Sequence, residues 1–225
     1  MSKELSVGII MDGNRRWARA KGMSTAEGHN EGFKALLNLL QEYESLKNEY
    51  GAAEYIFYAF STENWNRSEE EVKALMELLK QGLSKIEDEL KKLPNAPRIK
   101  FIGDLSRFEK EIQEEMKEIQ ERTKNGEGTV ALALSYGGRD EIVRAMKAGA
   151  ELSGEGISNA LDTADMKDPD IIIRTGGEKR LSNFLMWQAA YSELFFLDIF
   201  WPDFSKDTLI ECIKEYNERE RRHGV

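Results

Sequence analysis

The sequence predicts an α/β domain in which helices cover both faces of a mainly parallel sheet. Short apolar runs, typical of strands buried on both faces, alternate with longer stretches whose apolar residues recur at helical spacing. Neither a linker, an internal repeat nor a change of composition divides the 225 residues. A single domain over residues 1–225 is therefore the simplest organisation.

The apolar runs predict six strands, at residues 7–11, 54–60, 98–103, 129–136, 170–173 and 193–199. Glycines or polar residues follow most of these runs directly, as expected where a strand ends in a loop. A turn is predicted at Gly126 and Gly128, and residues 153–169 predict an irregular connection that includes one short helix.

Helices are predicted between the strands, at residues 25–46, 68–93, 105–124, 139–152 and 205–222. The first begins with Ser24 and Glu27, which have the spacing of a capping box. The second begins at Ser68, carries three glutamates in its first turn, and ends before Pro94.

Composition narrows the class of protein. The net charge of −9 and the isoelectric point near 5.0 argue against general nucleic-acid binding. One cysteine, Cys212, and two histidines provide neither an intrachain disulfide nor a zinc-type cluster, which favours a reducing compartment. We find no apolar segment typical of a signal peptide or a membrane span, so we expect a cytoplasmic protein whose membrane contact is at most peripheral.

The first strand ends in a stretch suited to a charged ligand. Asp12 follows the apolar run directly, then come Gly13 and Asn14, and four cations lie within the next seven residues, Arg15, Arg16, Arg19 and Lys21. In parallel sheets, ligands bind at the carboxyl ends of strands. A carboxylate suits Mg²⁺, and glycine amides with guanidinium groups suit phosphate, so the stretch favours a diphosphate with Mg²⁺. The alternative is a strand-to-helix turn beside a solvated basic face.

Two further strand ends carry polar groups. Residues 61–67 follow the second strand, and residues 174–183 place Arg174 and Arg180 six residues apart around a glycine pair, with Ser182 beyond them. The arginines are suited to a second phosphate group, although a plain basic loop is the alternative. His29, between two glycines, is either part of such a site or a solvent-facing polar residue.

The helix after Ser68 carries a long apolar stripe that includes Leu75 and Leu79. Such a stripe usually packs against a core. The alternative is one wall of an apolar substrate tunnel.

Together these stretches resemble the cis-prenyltransferases, of which undecaprenyl diphosphate synthase is the bacterial type. The resemblance rests on MDGNRRWA at residues 11–18, GH at 28–29, FSTENWNR at 60–67, SYGGRDEI at 135–142 and a long match over 173–204. It implies a six-stranded parallel sheet flanked by helices, a homodimer, dependence on Mg²⁺ and an elongated apolar tunnel. The implied reaction condenses isopentenyl diphosphate repeatedly onto an allylic diphosphate primer, farnesyl or geranylgeranyl diphosphate, forming cis double bonds.

The resemblance also implies roles for individual residues. Asp12 would bind Mg²⁺ and assist departure of the allylic diphosphate, which would be held by Gly13, Asn14, Arg15, Arg16, Trp17 and His29. Isopentenyl diphosphate would be held by Arg174, Arg180 and Ser182, with Glu193 near its metal or reaching from the partner subunit. The loop carrying Ser61, Glu63, Asn64, Trp65 and Arg67 would close over both substrates, and Asn64 would help to remove the proton. Ala59, Leu75 and Leu79 would line the tunnel.

The chain departs from the family pattern at two positions. Thr25 stands where many relatives carry an arginine, and Lys179 where some carry a histidine near the metal. The ending Arg222-His223-Gly224 is similar to an Arg-x-Gly ending found in part of the family and thought to reach across the dimer.

Three other classes of protein are alternatives. A haloacid-dehalogenase-type phosphatase would need its nucleophilic aspartate where this chain has Ile10. An all-helical trans-prenyltransferase would need aspartate-rich motifs, and the chain has no Asp-Asp pair. A non-catalytic partner subunit would have lost residues such as Asp12 and Arg174. The leading expectation is an enzyme that makes the precursor of a glycosyl carrier lipid; the alternatives are the partner subunit and an enzyme with a short or medium cis product.

Overall fold

The computed structural model describes residues 4–219 as an α/β domain built on a six-stranded parallel sheet. The strands are β1 (Leu5–Ile10), β2 (Ala52–Ser61), β3 (Arg98–Ile102), β4 (Thr129–Tyr136), β5 (Ile171–Arg174) and β6 (Glu193–Phe196). Their order across the sheet is β3-β4-β2-β1-β5-β6, and every neighbouring pair is parallel. The predicted fold class is therefore confirmed.

Eight α-helices connect the strands within the described part of the chain. They are α1 (Asn14–Ala20), α2 (Thr25–Gln41), α3 (Tyr43–Tyr50), α4 (Glu69–Leu90), α5 (Lys110–Thr123), α6 (Gly138–Lys147), α7 (Gly154–Ser158) and α8 (Lys206–Glu218). Over residues 4–219, none of the helices combines the length and the apolar character that crossing a bilayer requires.

Each face of the sheet has its own apolar core, as the alternation of side chains along a strand requires. Val7 and Ile9 of β1 belong to the larger core, and Ile10 belongs to the smaller one. Gly8 lies on the smaller face, where a Cβ atom would come within 3.1 Å of the Phe184 ring. The central strands are thus buried on both sides, as their continuous apolar runs predicted.

Several predicted helix boundaries were correct because capping chemistry marks them. Ser24 accepts a hydrogen bond from the Glu27 amide while the Glu27 carboxylate accepts one from the Ser24 amide, which completes the predicted capping box of α2. Ser68 likewise accepts from the Glu71 amide at the start of α4.

Other boundaries were wrong. The helix predicted over residues 25–46 divides at Glu42 into α2 and α3. The helix predicted from residue 105 begins only at Lys110, because Asp104 caps a short 3₁₀ turn and the backbone of Phe108 is extended. The helix predicted to reach residue 152 ends at Lys147, and the strand predicted to reach residue 199 ends at Phe196. Helix α1 was not predicted.

Candidate active site

The loop between β1 and α1 fixes the backbone of Asp12. The Asp12 carbonyl accepts hydrogen bonds from the Thr175 hydroxyl at 2.7 Å and from the Trp201 amide at 3.0 Å. Gly13 then turns the chain with φ at 110°, a left-handed conformation, and a Cβ atom there would lie 2.6 Å from the Phe200 ring. Only glycine meets both conditions, so the turn that presents the Asp12 side chain depends on Gly13.

Two arginines hold the Asp12 carboxylate. Arg174 Nη2 donates to Asp12 Oδ2 at 2.8 Å, and Arg16 Nη2 lies 3.1 Å from Asp12 Oδ1. Arg174 is the last residue of β5 and pairs in register with Ile10, the last residue of β1. The parallel sheet therefore brings the loop after β5 next to the loop after β1. The side chain of Asp12 is 28% exposed and faces the same space as the arginines.

Arg174 is almost fully buried and is positioned by the loop that follows it. Its Nη1 atom donates to the Ser182 hydroxyl at 2.8 Å and to the Arg180 carbonyl at 2.5 Å, while its buried Nε atom has no hydrogen-bond partner. Ser182 has a left-handed backbone, with φ at 48°, which is uncommon outside glycine. The predicted pair of Arg174 and Ser182 is thus in direct contact.

Asn14 of α1 and His29 of α2 lie where these two helices meet. Gly32 makes room for the Asn14 amide, because a Cβ atom at Gly32 would lie 2.4 Å from Asn14 Oδ1, and Gly28 similarly admits the Asn14 carbonyl. Asn14 Oδ1 and His29 Nε2 are both buried without a hydrogen-bond partner. Since buried polar atoms are nearly always satisfied in folded proteins, these two atoms mark a place where a polar ligand fits.

Near the start of α4, the Glu71 carboxylate lies close to two arginines and to His29. Its carboxylate accepts from Arg67 Nη1 at 2.8 Å and lies 3.7 Å from Arg15 Nη1 and 3.6 Å from His29 Nε2. Burial, followed by the charge of Arg67, lowers the pKa of His29 from its ordinary value, and Glu71 partly opposes this. Glu71 was not singled out in the sequence, although its position four residues after Arg67 on a helix start is a recognisable pairing signal.

The loop of residues 61–67 connects the second strand end to the third. The Ser61 amide donates to Asn64 Oδ1 at 3.1 Å, and Asn183 Nδ2 donates to Glu63 Oε1 at 3.1 Å. Trp65 Nε1 donates to the hydroxyl of Ser135, a buried residue that has a left-handed backbone. The three strand-end stretches therefore form one continuous site.

The side chains of the other residues singled out in the sequence have different surroundings. Trp17 is buried and donates its indole N–H, its only polar side-chain group, to Asp203 at 2.8 Å, so the structure does not support a contact with diphosphate. Arg180 is exposed and pairs with Glu178 at 2.5 Å. Thr25 is the first residue of α2, and Lys179 is exposed.

Glu193 does not lie beside Asp12 in the same chain. It opens β6 in register with Ile171, which pairs with Val7, whereas Asp12 follows the other end of β1. At about 3.3 Å per residue, the five steps from Val7 to Asp12 separate the backbones of Glu193 and Asp12 by roughly 16 Å along the strand direction. This separation does not fit one metal ion bound by Asp12 and Glu193 of the same chain. The two predicted roles of Glu193, near the metal of isopentenyl diphosphate or reaching from the partner subunit, stay predictions. The ending at residues 222–224 lies outside the described residues.

An apolar cavity of about 120 Å³ extends from this site between α2, α4 and the sheet. Asn14 and His29 lie in its wall, and so do all three predicted tunnel residues, Ala59, Leu75 and Leu79. Ala59 sits at an irregularity in the pairing of β2 with β4, which interrupts the alternation of side chains along β2. A polar, cation-rich site thus meets an apolar cavity.

Comparisons with known proteins agree with this geometry. A family model described as putative undecaprenyl diphosphate synthase matches residues 10–224. An isoprenyl transferase from Treponema denticola is 44% identical, with the match covering 100% of this chain and 99% of that protein. One from Aquifex pyrophilus is 42% identical over 97% of this chain and 94% of its own.

Two solved structures share the fold along nearly their whole length. Lavandulyl diphosphate synthase from Lavandula x intermedia, crystallised with dimethylallyl diphosphate, superposes with a TM-score of 0.89 at 30% identity and covers 98% of both chains. A probable undecaprenyl diphosphate synthase from Campylobacter jejuni has a TM-score of 0.81 at 34% identity and covers 100% of both chains. Sequence, fold and site therefore agree that this chain belongs to the undecaprenyl diphosphate synthase family of prenyltransferases.

Proposed function

We propose that the protein is a Mg²⁺-dependent cis-prenyltransferase that condenses isopentenyl diphosphate successively onto an allylic diphosphate primer such as farnesyl or geranylgeranyl diphosphate. The observation that carries this proposal is the position of Asp12, held between Arg174 and Arg16 beside an apolar cavity. One end of this arrangement suits a diphosphate and the other suits a hydrocarbon chain, which together make up a prenyl diphosphate.

The allylic diphosphate binds between α1 and α2 in this proposal. Arg16 supplies charge. Asn14 and His29 lie in the cavity wall, where the hydrocarbon would begin, and Asn14 Oδ1 and His29 Nε2 are buried without a hydrogen-bond partner. Gly13 permits close approach of the backbone. Breaking the allylic carbon–oxygen bond leaves charge on the departing diphosphate, and fixed cationic groups stabilise that charge.

Isopentenyl diphosphate binds on the other side of Asp12, at Arg174, Arg180 and Ser182. Arg174 Nε is buried without a partner, and Arg180 becomes available when it leaves Glu178. The new carbon–carbon bond forms between the two substrates, and isopentenyl diphosphate loses a proton, which Asn64 helps to remove. The loop of residues 61–67 excludes water from the reactive allylic group.

Mg²⁺ fits the donors that are present. The ion is commonly bound by one or two carboxylates together with phosphate oxygens and water, and Asp12 offers one carboxylate where a diphosphate would lie. When bound, Mg²⁺ would neutralise charge on the departing diphosphate. Arg16 and Arg174 keep the Asp12 carboxylate oriented toward that position.

We further propose a homodimer in which Glu193 approaches the site of the partner subunit. Large apolar side chains are exposed on α6, on the segment before the edge strand β6 and on β6 itself, namely Val143, Met146, Met186, Tyr191 and Leu194. Exposed apolar surface of this extent favours a partner. The product, a cis-polyprenyl diphosphate and precursor of a glycosyl carrier lipid, is apolar enough to require peripheral membrane contact for its release from a cytoplasmic enzyme.

The test is incorporation of radiolabelled isopentenyl diphosphate into butanol-extractable product, with each primer, with Mg²⁺ or EDTA, and with product length resolved by chromatography. We expect metal-dependent product. An absence of product with every primer would contradict the proposal and favour a partner subunit that requires a catalytic mate. A short product would support the same reaction and exclude the carrier-lipid role.

A further inference from the structure

Asn183 connects three segments at the carboxyl edge of the sheet. Its backbone carbonyl accepts a hydrogen bond from the Gly138 amide at 2.7 Å, and its side-chain Oδ1 atom accepts one from the Arg139 amide at 2.9 Å. Its Nδ2 atom donates to Glu63 Oε1 at 3.1 Å. The loop after β5, the start of α6 and the loop of residues 61–67 therefore meet at one residue.

The hydrogen bonds of the Asn183 side chain fix its orientation. A backbone N–H group donates and an ionised carboxylate accepts, so the oxygen of the side-chain amide must face Arg139 and its nitrogen must face Glu63. The backbone of Asn183 is left-handed, with φ at 67°, a conformation in which asparagine is enriched relative to most residues. Both the backbone conformation and the pair of hydrogen bonds are thus suited to asparagine.

The first turn of α6 depends on this contact. Gly137 precedes the helix and has no side chain to cap it. Asn183 instead satisfies the amides of Gly138 and Arg139 from another segment. Gly137 also leaves room for the contact, because a Cβ atom there would lie 2.6 Å from Asn183 Nδ2 and 2.8 Å from Thr62 Oγ1. Neither Gly137 nor Asn183 was assigned a role in the sequence.

The two ends of this connection lie beside residues of the proposed active site. Ser182, which precedes Asn183, accepts a hydrogen bond from Arg174 at 2.8 Å. Glu63 directly precedes Asn64 in the loop that follows β2. A displacement of Glu63 relative to Asn183 would therefore move that loop relative to the proposed isopentenyl diphosphate site.

We propose that Asn183 is a positioning residue that holds the loop of residues 61–67 against the isopentenyl diphosphate site through its hydrogen bond to Glu63. The inference rests on the proposed function for the identity of that site. In the proposed function the loop closes over both substrates, while Ser182 and Arg174 hold isopentenyl diphosphate. Without the bond to Asn183 the loop opens more often, and water reaches the reactive allylic group.

Asn183→Asp separates this role from the capping of α6. The aspartate keeps the acceptor for the Arg139 amide and tolerates a left-handed backbone, so thermal stability should change little. At about pH 8 both carboxylates are ionised, and the second oxygen at position 183 faces Glu63, so the two like charges repel. Hydrogen exchange of the peptide that spans residues 61–67 should become faster, and turnover under saturating substrates and Mg²⁺ should fall by about 10-fold.

Glu63→Gln in the Asn183→Asp background tests the bond itself. The glutamine at position 63 can donate to the new carboxylate, so the double variant should recover slow exchange and most of the lost turnover. Glu63→Ala in the same background removes the repulsion without restoring a bond, and it should recover neither.

Asn48→Asp is the matched control for the added charge. Asn48 is exposed on α3, which leads into the start of β2 at the opposite edge of the sheet from the site. This variant should change neither the exchange of residues 61–67 nor turnover.

Unchanged exchange and turnover in Asn183→Asp would overturn the inference, as would an equal change in Asn48→Asp. A loss that Glu63→Ala restores as well as Glu63→Gln does would also reject the bond. An inactive parent protein would contradict the proposed function, and the exchange measurement, which requires no turnover, would still decide whether Asn183 holds the loop. If Asn183→Asp does not fold, Glu63→Ala alone decides, because it leaves the cap of α6 intact, and unchanged exchange in that variant would reject the contact.

Discussion

Two polar clusters lie near the carboxyl edge of the sheet, and each is built around one carboxylate. In the Asp12 cluster, formed by Asp12, Asn14, Arg16, His29 and Arg174, the carboxylate is partly exposed and the buried atoms Asn14 Oδ1, His29 Nε2 and Arg174 Nε have no partner. In this cluster the protein leaves two nitrogen atoms and one acceptor oxygen unpaired in its interior.

The Glu141 cluster, formed by Glu141, Tyr136, Asp162, Thr163 and Gln188, is different. Glu141 is 1% exposed, and both of its oxygens accept hydrogen bonds, Oε2 from the Tyr136 hydroxyl at 2.6 Å and from Gln188 Nε2 at 3.0 Å, and Oε1 from the Asp162 amide at 3.0 Å. Burial raises the pKa of Glu141.

The comparison shows how to separate a ligand site from a structural network when both fall within family motifs. Asp12 lies in the motif at residues 11–18 and Glu141 in the one at 135–142. Gln188 Oε1 of the Glu141 cluster is also buried without a partner, so the state of the carboxylate separates the two clusters. Because buried polar groups are normally satisfied, three unpartnered atoms around a partly exposed carboxylate indicate a ligand, whereas saturation of the carboxylate indicates a role in holding α6 against the sheet. The predictions below test that distinction.

Asp12→Asn should give the largest effect. The asparagine keeps the shape and one acceptor for Arg174, but it loses the charge that we propose binds Mg²⁺, so turnover should fall by about 10³-fold or more with little change in thermal stability. Initial rates under saturating substrates and Mg²⁺, together with thermal unfolding, measure this. The matched control is Asp203→Asn, whose carboxylate accepts from Trp17 outside the Asp12 cluster and whose loss should leave turnover near that of the parent. Equal turnover in Asp12→Asn and the parent would remove Asp12 from the reaction.

Glu141→Ala should have the opposite profile. The substitution leaves the Tyr136 hydroxyl, the Gln188 amide and the Asp162 backbone N–H without their acceptor in the interior, so the free energy of unfolding should fall by about 2–4 kcal/mol. Urea unfolding at neutral pH measures the change. Below the unfolding temperature, turnover per folded molecule should stay close to the parent value. A stable variant with poor turnover would place Glu141 in the active site and weaken the distinction.

The sequence was sufficient to predict most of the fold because local chemistry agrees with the tertiary arrangement. Continuous apolar runs identified the strands, and Ser24 and Ser68 identified two helix starts. Sequence periodicity did not reveal the break at Glu42 or the 3₁₀ turn after Asp104. In both places the apolar residues keep their helical spacing, while short-range hydrogen bonds interrupt the helix itself.

The site was predictable where it depends on strand ends and less so elsewhere. Asp12, Asn14 and Arg174 follow or end their strands, and parallel pairing brings them together. Glu193 begins its strand, so parallel pairing puts it at the opposite edge, a signal that was available in the sequence. The contact of Asn183 with Glu63 joins two loops that are distant in sequence, and only the folded structure reveals it.

Arg174→Lys should have an intermediate effect, because Arg174 shares features of both clusters. It is buried and bonded to Ser182 and the Arg180 carbonyl, yet it also faces Asp12 and leaves Nε unpartnered. Lysine keeps the charge but cannot reproduce the planar fork, so we expect turnover to fall by about 10-fold and stability to fall by about 1 kcal/mol. Steady-state kinetics with varied isopentenyl diphosphate and urea unfolding give the two values. If the substitution changes stability but not turnover, Arg174 has a structural role like that of Glu141.

The smallest effect should be the pH dependence contributed by His29. Burial and Arg67 lower its pKa in the folded protein below the ordinary value of 6.5, and Glu71 only partly compensates, with Arg15 also nearby. Above pH 6.5 the imidazole is neutral in both states and contributes nothing. As the pH falls below 6.5 the unfolded chain takes up the proton first, so the free energy of unfolding decreases until the folded pKa is reached.

Urea unfolding of the parent and of His29→Asn across this range measures the contribution, and the parent should lose more stability than the variant as the pH falls. An identical pH dependence would show that His29 is not held neutral. Repeating the series with inorganic diphosphate and Mg²⁺ extends the test to the ligand. A bound anion beside Nε2 favours the imidazolium and raises the folded pKa, so the difference between parent and variant should shrink. If diphosphate does not change the difference in stability between the parent and His29→Asn, then His29 Nε2 does not face the ligand. An unpartnered buried atom would then fail to indicate a ligand site at this residue.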